Sequence, residues 1–264
     1  MKKFSILLFI FTGVLFWLAC EIDTGLEPTR SGFSGTVFFN NKLPENTDKV
    51  MVVAVRNFPP AGVTDLITGP ALSISENSAD YEFYTPPGTY EAVGVVWKEI
   101  DQAWSISNII GIYFPTSDHF APGKITVPAS SLINSIDIQA DFSYAAPASN
   151  SGIQGTLEVK GTWPPSATSV LVAASRIGLP KSLLDIEFGL PIKAGFESMP
   201  YSLSLPPGTY NLVGTLLVQS GKPVGLESVV SYYKSSPTNL LPSSVTVKSD
   251  TSWISQIDMT LVFN

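Results

Sequence analysis

YEFYTPPGTY (81–90) and YSLSLPPGTY (201–210) decide how this chain is organised. They lie 120 residues apart and agree at six of ten positions. In each, two prolines fix φ and a glycine supplies a permissive conformation. The chain therefore turns sharply, and Thr89-Tyr90 or Thr209-Tyr210 opens the next strand.

Moving outward at the same offset, Gly32, Gly35 and Thr36 meet Gly152, Gly155 and Thr156. Val50, Val52, Ala54 and Arg56 meet Val170, Val172, Ala174 and Arg176. Val93-Gly94 meets Val213-Gly214, Tyr113 meets Tyr233, and Thr126-Val127 meets Thr246-Val247. One insertion later, Ile133, Ile136 and Asp137 meet Ile254, Ile257 and Asp258. A single offset held this far along the chain is a duplicated module.

Within each copy the patterns are those of strands. Val50–Val55 and Val170–Ala174 are continuous apolar runs, expected of strands covered on both faces. Ile136, Ile138, Ala140 and Phe142 alternate with Asp137, Gln139 and Asp141, and Ile257, Met259, Leu261 and Phe263 repeat that period of two. Twenty glycines and twenty-one prolines punctuate a chain rich in Val, Ile, Thr, Tyr and Phe, and no long amphipathic helical pattern occurs. The expected fold is all-β, two tandem antiparallel β-sandwiches over 32–143 and 152–264 with a linker at 144–151. The rings of Tyr90 and Tyr210 are expected on the core, with their hydroxyls at its rim.

The N-terminus reads as an address. Lys2 and Lys3 precede an apolar run from Phe4 to Leu18, then Ala19 and Cys20. A basic start, an apolar core and a small residue before the cut describe a signal peptide over 1–19. Cys20 is the only cysteine in 264 residues, so no disulfide within the chain is possible. Residues 20–31 read as a polar tether carrying Gly25 and Pro28.

Leu18-Ala19-Cys20 resembles the end of the bacterial lipobox, with Trp17 standing where that pattern usually has Leu. The resemblance implies acylation of Cys20, anchorage in a membrane by several acyl chains, and release of the leader. Glu21, rather than Asp, after the cysteine favours an outer-membrane destination by the same resemblance. The Gly-x-x-Gly-Thr and Pro-Pro-Gly-Thr-Tyr motifs together resemble the carboxypeptidase-regulatory-like, transthyretin-like (Ig-like) sandwich repeats of bacterial surface proteins. That resemblance covers both modules and implies spacer, adhesive or carbohydrate-associated roles without catalysis. The copies here are longer than the family's short forms, through the 57–80 and 177–200 loops.

Composition argues against several functions. The net charge is −7, and 13 basic residues face 22 acidic ones once Lys2 and Lys3 leave. Nucleic-acid binding draws on clustered Lys and Arg, and no basic stripe exists. His119 is the only histidine, in PTSDHFAPG (115–123), and Asn239 stands at its position in the second copy. A Ser-His-Asp triad needs an oriented imidazole, so no enzyme is expected. Calcium-loop and phosphate-cradling motifs are absent, so no metal or cofactor is expected. The carboxylate pairs Glu99/Asp101 and Asp185/Glu187 read as solvated charge.

Four residues remain as candidates for binding. Asp65 and Gly69 match Asp185 and Gly189, each pair following a matched arginine, Arg56 or Arg176. This repetition fits a shared binding surface, an Arg–Asp pair pinning a long loop, or a short helical turn with a glycine stop. Trp104 and Trp163 have no tryptophan partner in the other copy. Either indole offers a broad apolar face and a donor edge for a sugar ring, or packs at a rim. The expectation is a non-catalytic envelope lipoprotein whose partner is an envelope protein or, as the alternative, a glycan held by loop aromatics.

Overall fold

The structure is a computed structural model, and it describes residues 30–74 and 77–263. The segment expected to be a signal peptide, Cys20 and the expected tether up to residue 29 lie outside the described residues. The described chain is all-β, with helical character confined to three-residue 3-10 turns.

The first lobe contains β1 (Gly32–Asn40), β2 (Thr47–Val55), β3 (Ile67–Ala71), β4 (Ser78–Tyr84) and β5 (Gly88–Tyr90). It continues through β6 (Ala92–Glu99), β7 (Ile109–Ile112), β8 (Ile125–Val127), β9 (Leu132–Ile133) and β10 (Ile138–Asp141). The second lobe repeats the plan with β11 (Gly152–Lys160), β12 (Ala167–Ser175), β13 (Glu187–Phe188), β14 (Ile192–Lys193) and β15 (Ser198–Ser204). It ends with β16 (Gly208–Tyr210), β17 (Leu212–Gln219), β18 (Val229–Tyr232), β19 (Val245–Val247), β20 (Trp253–Ile254) and β21 (Met259–Val262). Each lobe's strands pair only among themselves.

Two layers face each other in each lobe. In the first, β3-β2-β6-β7 continues into β10-β1-β4. In the second, β13-β12-β17-β18 and the group of β15, β20 and β21 around β11 are separate sheets. Most ladders are antiparallel, but the first and last strands of each lobe run parallel, β1 with β10 and β11 with β21. The layers enclose one core per lobe, which includes Phe33, Phe83, Trp97 and Ile138 in the first and Ile153, Leu205, Val213 and Leu261 in the second. Strand alternation sets this: Ala79, Tyr81 and Phe83 of β4 point in while Asp80, Glu82 and Tyr84 point out. Phe33 and Phe83 stack with centroids 4.6 Å apart.

The matched motifs form one corner, built twice. A side chain at Gly35 or Gly155 would strike the carbonyl of Ile136 or Ile257. Glycine therefore lets the first strand pass close to the last. That carbonyl accepts the hydroxyl of Tyr81 (2.6 Å) or Tyr201 (2.5 Å). The next residue's carboxylate, Asp137 or Asp258, accepts the amide of Thr36 (2.9 Å) or Thr156 (2.8 Å). Burial raises both tyrosine phenols far above their ordinary pKa, helped by the adjacent aspartate.

At the Pro-Pro-Gly-Thr-Tyr turn, Tyr90 and Tyr210 are fully buried. Their hydroxyls donate back to Pro86 O (2.7 Å) and Pro206 O (2.8 Å), tying the turn to the core. Arg56 and Arg176 lie over these rings at 4.9 and 5.3 Å.

Candidate functional site at the junction of the lobes

Between the lobes lies an apolar cleft of about 70 Å³. Pro60, Ile109, Ile112 and Tyr144 help to form its first-lobe wall, together with Phe58. Leu171, Leu183, Ile186, Phe188 and Val224 face them from the second lobe. Phe58 also packs onto the outer face of the β12–β17 sheet, where Leu171, Ala173, Leu216 and Val224 are buried.

The second-lobe wall is shaped by a capped 3-10 turn, Leu183–Asp185. Ser182 Oγ accepts the Leu184 amide at 3.2 Å. Asp185 Oδ2 accepts the amides of Lys181 (2.7 Å) and Ser182 (3.0 Å), so amides that the turn leaves unpaired are satisfied. This lifts Leu183 into the junction, where it is buried. Its amide donates to His119 O of the first lobe at 3.0 Å. Tyr144 donates its hydroxyl to Asp185 Oδ1 at 3.1 Å. Burial and then the Asp185 charge push the Tyr144 phenol up to about 12.

Asp65 holds the matching turn, Val63–Asp65, by accepting the Ala61 amide at 2.8 Å. The repeated Asp-Gly loop contains the short helical turn, but extended Leu66 or Ile186 ends it rather than a glycine, and Gly69 lies within β3. Arg56 and Arg176 turn to the tyrosines instead of the aspartates: Arg56 donates to Tyr90 Oη at 3.2 Å, and Arg176 to Pro207 O at 3.2 Å. Asp65 and Asp185 each accept the amide four residues back, and Asp185 also accepts the Ser182 amide and meets the other lobe through Tyr144.

Glu187 departs from the solvated charge expected of it. It lines the cleft, and burial pushes its carboxyl up to about 7, opposed by the Arg176 charge. Ile67 occupies its position in the first lobe. Glu99 is also structural, accepting Asn46 Nδ2 (2.6 Å) and the linker amide of Ala148 (2.8 Å).

Both candidate tryptophans are packed. Trp104 lies half-buried over Met51, Val53 and Val96 on the outer face of the first lobe, with Lys98 Nζ 6.0 Å from its ring. Trp163 sits beside Phe196 and Phe263, with centroids at 5.1 and 4.9 Å, and donates Nε1 to Phe196 O at 2.9 Å. His119 stacks on Phe114 at 5.0 Å, on an exposed loop. Among the described residues, no group of three or more His, Cys, Asp or Glu side chains converges to hold a metal ion.

The site that sequence reasoning missed is the junction itself. Its signal was size asymmetry between copies: Phe58 against Gly178, Leu183 against Val63, Val224 against Trp104.

No family model matches the chain, and no curated protein matches it. Among solved structures, it is similar to a leucine-rich repeat protein from Bacteroides thetaiotaomicron, with 15% identity and a TM-score of 0.39. That match covers 88% of this chain and 27% of the other. The Bacillus anthracis TIE protein shows 9% identity and a TM-score of 0.20, over 88% of this chain and 34% of its own. A streptococcal ancillary pilin shows 10% identity and a TM-score of 0.21, over 87% and 69%. The chain therefore spans about a quarter to a third of the first two proteins.

Proposed function

We propose that this chain is a lipid-anchored protein of the bacterial cell envelope whose two lobes form a non-catalytic arm with a structural or binding role. The observation that carries the reading is the only cysteine of 264 residues, set directly behind a basic and apolar leader. Acyl chains on Cys20 contribute about 0.8 kcal/mol for each buried methylene, so two or three chains hold the protein permanently where one does not. Glu21 directs the anchored form to the outer membrane.

The arm's polar chemistry supports a role without turnover. The repeated Asp and Tyr side chains tie turns and strand crossings together. The partner is an envelope protein or a glycan rather than a nucleic acid, which the excess of acidic residues disfavours. Mass spectrometry of the N-terminal peptide of the mature protein tests the anchor. A diacylglyceryl-modified residue 20 as the new N-terminus is expected; an unmodified thiol there overturns the reading.

A further inference from the structure

We infer that the contact between the lobes is also made between copies of this chain. The second lobe of one copy would dock, head to tail, on the first lobe of the next. Each lobe carries two faces. One, the donor, is built from the loop after β2 or β12, the strand β7 or β18, and the loop that follows that strand. The other, the acceptor, is built around the 3-10 turn and the outer face of the large sheet. Inside the chain the first lobe's donor meets the second lobe's acceptor. The second lobe's donor and the first lobe's acceptor are left over.

The leftover donor is apolar and open. Pro180, Val229 and Tyr232 stand where Pro60, Ile109 and Ile112 line the cleft, and they line an apolar groove that continues onto Ala173, Ile186 and Leu216 beside the face Phe58 covers. Leu179 is 73% exposed where Pro59 is half-buried. Leu240 and Leu241 are 92% and 76% exposed, where Phe120 and Ala121 are half-buried on the loop whose His119 carbonyl holds Leu183. A cluster of large exposed apolar side chains on one face is the mark of an interaction surface. On the leftover acceptor, Val63 is 42% exposed where Leu183 is 3%.

Size complementarity identifies the occupant as a second copy. Within the chain a large donor residue, Phe58, meets a small acceptor residue, Val224. Between copies the donor position is Gly178, and no atom lies within 4 Å of a Cβ built there. The acceptor position is Trp104, half-buried over Met51, Val53 and Val96, so that a large ring stands on that face opposite the bare position. The swap conserves the volume of the contact, which close packing requires. Because donor and acceptor differ, the contact is heterologous and repeats from copy to copy without pairing off into a symmetric dimer.

Cross-linking of the full-length chain in membranes tests this. Leu240→Cys with Thr64→Cys places thiols on the two leftover faces. Their counterparts, Phe120 and Leu184, directly follow His119 and Leu183, which a backbone hydrogen bond of 3.0 Å joins across the junction. Mild oxidation is expected to give a ladder running past the dimer, and neither single variant is expected to give one. Gly178→Trp in the double-cysteine background fills the space meant for Trp104. Overpacking on that scale is expected to cut the ladder by about tenfold. Gly178→Phe with Trp104→Val, which reproduces the pairing inside the chain, is expected to restore it. The lack of a ladder in the double-cysteine protein, with its β-sheet circular dichroism intact, overturns the inference. So does a ladder that Gly178→Trp leaves unchanged. Oxidised wild-type protein separates this test from the anchor: cross-links there report a free Cys20 and bear only on the proposed lipidation.

Discussion

The two lobes share their corners and differ in how they close and in what they touch. In both, a glycine, a tyrosine and an aspartate join the first strand to the last with bond lengths that agree within 0.1 Å. Around those fixed corners the sheets diverge. In the first lobe β7 reaches β10 through Gly111 and Ala140, and eight strands form one sheet. A Cβ at Gly111 would lie 2.8 Å from Gln139 O, so the bare backbone is what admits the approach. Ser231 stands at that position in the second lobe, where β18 lies beside β21 without pairing to it. The second lobe instead gains support from outside itself, through Phe58 on its outer face and Tyr144 on Asp185. Shared residues keep the module; unshared ones specialise each copy for its place in the chain.

Matched substitutions break that comparison at its strongest point. Leu183→Ala removes a buried side chain from the junction and is expected to cost about 3 kcal/mol, while Val63→Ala at the exposed counterpart stays within about 0.5 kcal/mol. Urea titrations of the two variants read the difference, and equal costs would mean that the junction adds nothing to Leu183.

The next effect depends on pH. The carboxyl of Glu187 is raised from 4.5 to about 7 in the folded chain. Between those values the unfolded chain releases its proton first, so stability falls as pH rises from 4.5 to 7 and levels off above. The loss is at most about 3 kcal/mol, reduced by screening at the open mouth of the cleft. Glu187→Gln is expected to be the more stable protein at pH 8 and to flatten this slope. Thermal unfolding at pH 5 and pH 8 checks it, and an unchanged slope would place the carboxyl in water.

The corners give the smaller, symmetric effect. Tyr81→Phe and Tyr201→Phe each leave a buried carbonyl without its hydroxyl donor and are expected to cost about 1 kcal/mol. Equal costs, measured by urea unfolding, would establish that the corners are energetically as well as geometrically alike.

Much of the module was legible because its signals are local. Period-two alternation placed Ile138, Ala140, Met259 and Leu261 on the core, and the continuous Val50–Val55 run announced a strand covered on both sides. Tyr90 and Tyr210 went inside as their turn chemistry demanded. The junction was not legible, because repeat alignment rewards identity and the junction is made where the copies disagree. Asp65 and Asp185 align perfectly, yet nothing local says that Tyr144, 41 residues before Asp185, donates to only one of them. Glu187 reads as a surface charge until the first lobe is placed over it. The parallel pairing of first and last strands also escaped, since alternation fixes which face a residue takes and is silent on strand direction.

The smallest expected effect isolates the polar link between the lobes. Tyr144→Phe removes one hydroxyl, and Asp185 keeps the amides of Lys181 and Ser182. The turn should therefore survive, and the loss should be about 0.5 kcal/mol, the low end for a hydrogen bond because the site is partly wet. Asp185→Asn weakens the same link but also the turn, so its single cost is larger and harder to interpret. A double-mutant cycle separates the two contributions, because only the interaction shared by Tyr144 and Asp185 survives subtraction. The cycle with Asp65→Asn supplies the contrast, since Asp65 likewise accepts the amide four residues back but has no tyrosine partner among the described residues. Coupling of Tyr144 to Asp185 and none to Asp65 is the expected result. Equal coupling to both, or none to either, would mean that the lobes do not meet through this bond.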